Sequence, residues 1–193
     1  MNLLRIIPAL TAFAFLGIST LQAQSPAPAA VPQAADTQTA SAQPSDLDAI
    51  WRYAGGWRIQ TESVDSPYSK AARHTSVLRN DCWRSEGYIA CRQIVDGVSK
   101  ILIVFTCGRS DHYCTSYQIP SDGSPASSGT MHIEGDTWTF PWQTSDKEGK
   151  ITYFRVVNVW SGPTTIDFRQ EYSTDQVHWT KTSTGHEFKT TSK

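Results

Sequence analysis

The chain has 193 residues, 17 basic against 18 acidic, with 7 Trp, 7 Tyr and 7 Phe. The near balance comes without a clustered basic face, which argues against binding to nucleic acid or to an anionic membrane surface. The length suits one domain with a core of ordinary size.

The opening stretch, MNLLRIIPALTAFAFLGISTLQAQ, reads as a secretory signal over residues 1–23. Arg5 supplies the positive n-region, Ile6 to Ile18 the apolar run, and Leu21-Gln22-Ala23 the small-residue end. The run is shorter than the ~20 residues that span a bilayer, and no stop-transfer charges follow it. No cysteine lies near the cleavage point, so a lipid anchor is not expected. Residues 24–44, rich in Ala, Pro, Gln, Ser and Thr and free of aromatics, cannot bury enough apolar surface to order themselves and are expected to be a disordered linker. One domain then runs from 45 to 193. Removing the signal takes away only Arg5 and moves the formal charge from −1 to −2. The expected location is outside the cytoplasm, periplasmic or extracellular.

SDLDAIWRYAGG reads as a short helix with Ser45 as N-cap, Asp48 at the reciprocal capping position and Gly55 just past the end. Gly55 can take the positive φ that ends a helix, Gly56 permits a close turn, and Trp57 can pack a large apolar face. Short segments rich in β-branched and aromatic residues follow. HTSVLRNDCW, YIACRQIV, VSKILIVFTC and HYCTSYQI are separated by the turns Glu86-Gly87, Asp96-Gly97 and Ser110-Asp111. After a loop over 121–129 come TMHIE, TWTFPW, KITYFRVVNVW, TIDFRQEYS and VHWTKTSTGHEFK, the last two joined by Thr174-Asp175-Gln176. The connections are short enough for an antiparallel meander. An all-β, up-and-down barrel of about eight to ten strands removes both edges of such a meander and is wide enough for a ligand.

The four cysteines lack the close pairs of a zinc site. With Glu86-Gly87 as a two-residue turn, Cys82 faces Cys91 at a non-hydrogen-bonded site, where Cα atoms lie ~4.5 Å apart. Ser110-Asp111 places Cys107 opposite Cys114 in the same way. Local disulfides are therefore expected, in keeping with export.

Strand alternation puts Trp138 and Phe140 on one face, with Trp142 if Pro141 makes no bulge. It likewise groups Phe154, Val156, Asn158 and Trp160. These residues form the candidate cavity face, an apolar lining with a few polar groups such as Asn158, Arg155 or Arg169. Ser110, Asp111 and His112 are too close in sequence to form a hydrolase triad, and no G-x-S-x-G, H-E-x-x-H or glycine-rich phosphate loop occurs. Glu134 with Glu171 is a conceivable carboxylate pair. No catalytic or metal-binding residue is assigned, and enzymatic activity is not expected.

The helix followed by Gly55-Gly56-Trp57 resembles the opening of lipocalin-type barrels. The run Ser173-x-Asp175-x-x-x-Trp179 resembles the last hairpin of a broad bacterial group of uncharacterised lipocalin-like proteins. The resemblance spans Leu47 to about Lys189 and implies a barrel closed at one end by the helix and Trp57, with no reaction attached. No cofactor is expected. A haem, as in the nitrobindin-like barrels to which the topology is similar, would need one of His74, His112, His132, His178 or His186, and no spacing singles one out. The expected function is a monomer that binds a small apolar or amphipathic molecule inside the barrel; a secreted hydrolase or a glycan-binding protein is the alternative. Non-reducing peptide mapping should return Cys82–Cys91 and Cys107–Cys114 peptides, and a Cys91–Cys107 peptide would contradict the hairpin registers.

Overall fold

The computed structural model describes residues 46–108 and 112–190. The signal, the linker, Ser45 and the Ser110-Asp111 turn lie outside them. A five-residue helix, α1 (Asp46–Ile50), runs into a 3-10 turn (Trp51–Tyr53). Ten strands follow: β1 (Gly55–Ser63), β2 (Ala72–Ser85), β3 (Tyr88–Val95), β4 (Val98–Cys107) and β5 (Tyr113–Pro120), then β6 (Ser127–Glu134), β7 (Thr137–Ser145), β8 (Ile151–Gly162), β9 (Thr165–Ser173) and β10 (Thr180–Thr190). Each pairs antiparallel with its chain neighbours, and β1 pairs with β10 from Gly56↔Thr190 to Ser63↔Ser183, which closes an up-and-down barrel.

The helical segment is shorter than its sequence pattern suggests, and Asp48 reaches Arg84. Residues 127–129 belong to β6 and not to the preceding loop, while 177–179 belong to the last turn and not to β10. The hairpin registers pair Cys82 with Cys91 and Cys107 with Cys114, and both pairs are disulfide-bonded with Cα atoms 4.0 Å apart. Such bonds are compatible with an oxidising compartment. No described helix is long and apolar enough to cross a membrane.

The barrel interior has three levels. At one end the helical segment is a floor, tied to the strand turns by Asp46 with His112, Asp48 with Arg84, and Arg52 with Asp136. Gly55 leaves this floor at φ +103°, a conformation that suits glycine. The next inward residue, Trp57, is fully buried and donates its indole N–H to the Tyr53 carbonyl at 2.8 Å. Trp160 packs against Trp57, Tyr53 and Trp138 at centroid distances of 5.7, 5.5 and 5.2 Å, and the Arg52 guanidinium lies 4.0 Å above its ring.

The opposite end carries a second aromatic group. The segment between β1 and β2 is folded back by a Ser66–Ser69 bridge and leans Tyr68 on Phe154 and Tyr172 at 4.9 and 4.8 Å. Trp142 stacks on Phe154. Between floor and rim lies the middle level, which contains the cavity.

Truncating a fully buried tryptophan removes a large apolar surface and leaves a void. Trp57→Ala should therefore lower unfolding free energy by ~3 to 5 kcal/mol, measured by denaturant titration of the oxidised protein.

Candidate functional site

Inward-facing residues of β2, β3, β4, β5, β7, β8 and β10, with Tyr53 from the floor, surround a cavity of about 50 Å³. That is room for roughly three to five water-sized groups. Leu78, Ile103, Phe105, Phe140 and Val156 make its walls largely apolar. Asn80, Gln118, Asn158 and Glu187 bring polar ends into it from four different strands, each no more than 4% exposed.

The six residues expected on the cavity face divide among the three levels. Phe140, Val156 and Asn158 line the cavity. Trp138 and Trp160 are buried one level down in the floor, and Phe154 belongs to the rim. The β7–β8 register runs unbroken through Pro141↔Arg155 and Trp142↔Phe154, so Pro141 makes no bulge and Trp142 stays on the inner face.

Arg155 and Arg169 are corrected from interior to exterior. Each donates to Glu171, at 2.7 and 3.1 Å, on the outer wall, because both occupy outward positions of β8 and β9. Trp179 covers this group, with the Arg155 guanidinium 3.9 Å from its ring. The Ser173, Asp175, Trp179 pattern explains why Trp179 is there. Ser173 Oγ accepts from the backbone N–H of Asp175 and Gln176, the Asp175 carboxylate accepts from those of Val177 and His178, and Trp179 donates to the Gln176 carbonyl. Donors from His178, on side chain and backbone, hold the Asp175 carboxyl well below the usual carboxylate range. The motif builds a turn and an outer cover.

The same turn gathers Ser173, Asp175 and His178, but the carboxylate sits between the other two. His178 Nδ1 contacts Asp175 Oδ2 at 2.7 Å and Ser173 Oγ donates to Asp175 Oδ1 at 2.9 Å. A base must touch the nucleophile to activate it, so this order is not that of a triad. Glu171 is bound on the outer wall and Glu134 is exposed at the end of β6, so neither reaches the cavity. Ser110 and Asp111 lie outside the described residues.

None of the five histidines lines the cavity. His112, His178 and His186 are exposed and paired with Asp46, Asp175 and Asp167, and His132 stacks on Tyr113. His74 occupies a position of β2 away from the lining. These residues and a cavity of about 50 Å³ do not fit a haem.

Glu187 and Tyr53 are the functional candidates that sequence reasoning passed over. Burial pushes the Glu187 carboxyl up to about 7. Burial also drives the Tyr53 phenol well above its ordinary value, and the nearby Glu187 charge pushes the same way. Asn80 donates to the Tyr53 carbonyl at 3.1 Å, and Asn158 donates to the Tyr53 hydroxyl, so the floor tyrosine orients both amides.

No protein-family model and no curated protein matches the chain. Among solved structures it is similar to Rv2717c from M. tuberculosis, at a TM-score of 0.45 and 9% identity over 75% of this chain and 97% of that one. A likeness at this level carries no statement about activity.

Glu187 makes stability depend on pH in a direction unusual for a carboxylate. Between about 4.5 and about 7 the folded chain keeps a proton that the unfolded chain has lost, so stability falls as pH rises through this window. Glu187→Gln should flatten that slope and stabilise the protein at pH 8 by about 3 kcal/mol, checked by denaturant midpoints at pH 4.5, 6 and 8.

Proposed function

We propose that the protein is an exported, lipocalin-like barrel that binds a small amphipathic molecule in its interior as a monomer. One observation carries the reading. Asn80 Oδ1, Gln118 Oε1 and Asn158 Oδ1 are buried without a hydrogen-bond partner among the described residues, and all three residues line one largely apolar cavity. A buried amide oxygen left unpaired costs about 1 to 3 kcal/mol, so three around one small space mark a place where polar groups from outside the chain are received. Apolar walls with a few convergent polar groups are the ordinary make-up of a small-molecule site. The alkyl body of the ligand lies against Phe105, Phe140 and Val156, and its polar end meets the amides. The cavity volume limits the ligand to a few heavy atoms unless the rim moves.

The test is a ligand-observed NMR titration of the oxidised protein with three-carbon compounds at millimolar concentration. Binding should vanish in Val156→Phe, which fills the cavity, while near-ultraviolet circular dichroism stays unchanged. Asn158→Leu should weaken polar-headed compounds by about 1 to 3 kcal/mol and spare propane-like ones. If nothing binds, the interior is a packed core and the proposal fails.

A further inference from the structure

We infer that the polar end of the interior ligand is a primary ammonium group, held by Glu187 and the three amide oxygens. This rests on the reading of the interior as a binding site and adds the chemical class of what enters it.

The direction of each amide decides the matter. A carbonyl only accepts, so the bond from Asn80 to the Tyr53 carbonyl fixes Nδ2 as the engaged end and leaves Oδ1 as the end without a partner. Ser116 gives its hydroxyl proton to the Gly129 carbonyl and therefore accepts from Gln118 Nε2, which leaves Gln118 Oε1. Asn158 Nδ2 is spent on the Tyr53 hydroxyl, which leaves Oδ1. The partners lacking on three walls are thus donors, and the fourth wall presents a carboxyl group that also accepts when ionised.

Charge points the same way. Among the described residues of the lining Glu187 is the one carboxylate, and no Lys, Arg or His accompanies it. Of the other described titratable groups, Tyr53 is the one in the lining. Arg52 is held in the floor by Asp136, and Lys189 by the Arg52 carbonyl at 3.1 Å. From the strands on either side, Ile59 and Ile166 stand opposite Glu187 in register and carry no charge. A buried carboxylate so placed needs a cation or a proton. An anionic ligand would meet four acceptors against the Tyr53 hydroxyl donor, and an alcohol offers one donor. A primary ammonium offers three donors and the compensating charge, and it is smaller than a guanidinium.

The proton on Glu187 and the ammonium then compete for one place. Binding releases close to one proton at pH 6 and below and about half a proton at pH 7, because the carboxyl must ionise to pair with the cation. Affinity should rise about tenfold per pH unit up to about pH 7, level off, and fall again near the amine's own pKa of roughly 10.4.

The experiment compares propylammonium, 1-propanol and propionate with the oxidised protein, by NMR titration between pH 5 and 9. Four heavy atoms limit Kd to about tens of micromolar at best, and the five of propionate to a few micromolar. Propylammonium should bind at least tenfold more tightly than 1-propanol at pH 8, lose that margin by pH 5, and lose it at every pH in Glu187→Gln, a near-isosteric change. Calorimetry of the unmodified protein in two buffers of different ionisation enthalpy should report close to one proton released at pH 6. Equal or tighter binding of 1-propanol, or tightest binding of propionate, would overturn the ammonium assignment while leaving interior binding intact. Failure of all three compounds to bind would overturn both.

Discussion

The pairing of β1 with β10 is the constraint on which the rest of the molecule depends. A meander of ten strands ends in two edges whose backbone groups need partners, and the register from Gly56↔Thr190 to Ser63↔Ser183 satisfies both at once. Closure brings β9, β10 and β1 together at one seam. Gly185 stands at that place. A Cβ there would fall 2.5 Å from the Phe168 ring and 2.1 Å from the Gln60 carbonyl, so the aromatic side chain occupies the space a larger residue would need. Once the ring is shut, every side chain is assigned to an inside or an outside.

That assignment produces the site. On β10 the inward positions hold Ser183, Gly185 and Glu187, while Phe188 faces solvent. On β5 Ser116 and Gln118 point in, and Tyr117 and Ile119 point out. These two strands invert the usual rule of apolar residues within, and the inversion introduces polar groups into a core otherwise built from Ile, Val, Phe and Trp. β2 and β8 add one amide each, Asn80 and Asn158, to inner faces that also carry Leu78 and Val156, so polar groups from four strands meet in one place within an otherwise apolar core. The floor takes part as well, since the backbone carbonyl and hydroxyl of Tyr53 orient Asn80 and Asn158.

The two motifs that carry the family resemblance in sequence are architectural in three dimensions. The Ser173, Asp175, Trp179 run folds a turn whose tryptophan covers the Arg155–Glu171–Arg169 group on the outer wall. The Gly55-Gly56-Trp57 run turns the chain from floor to wall and anchors the aromatic cluster beneath the cavity.

The sequence by itself determined the approximate strands, their order, the registers of the two cysteine hairpins and the pairing of the cysteines. These follow from β-propensity, short turns and the two-residue side-chain period, all of which act between near neighbours in the chain. It also determined that Phe140, Val156 and Asn158 share a face with their neighbours, since alternation needs no tertiary contact. Which face turned inward on β10 was beyond it: Phe188 and Glu187 alternate in a way that, taken alone, would bury the phenylalanine. Only the tertiary structure decided that Glu187 is inside. Its orientation comes from the register with Ile59 across the closing seam, a contact between residues at opposite ends of the domain. The cost of burying that carboxyl is carried by the whole closed barrel, and no local pattern records it.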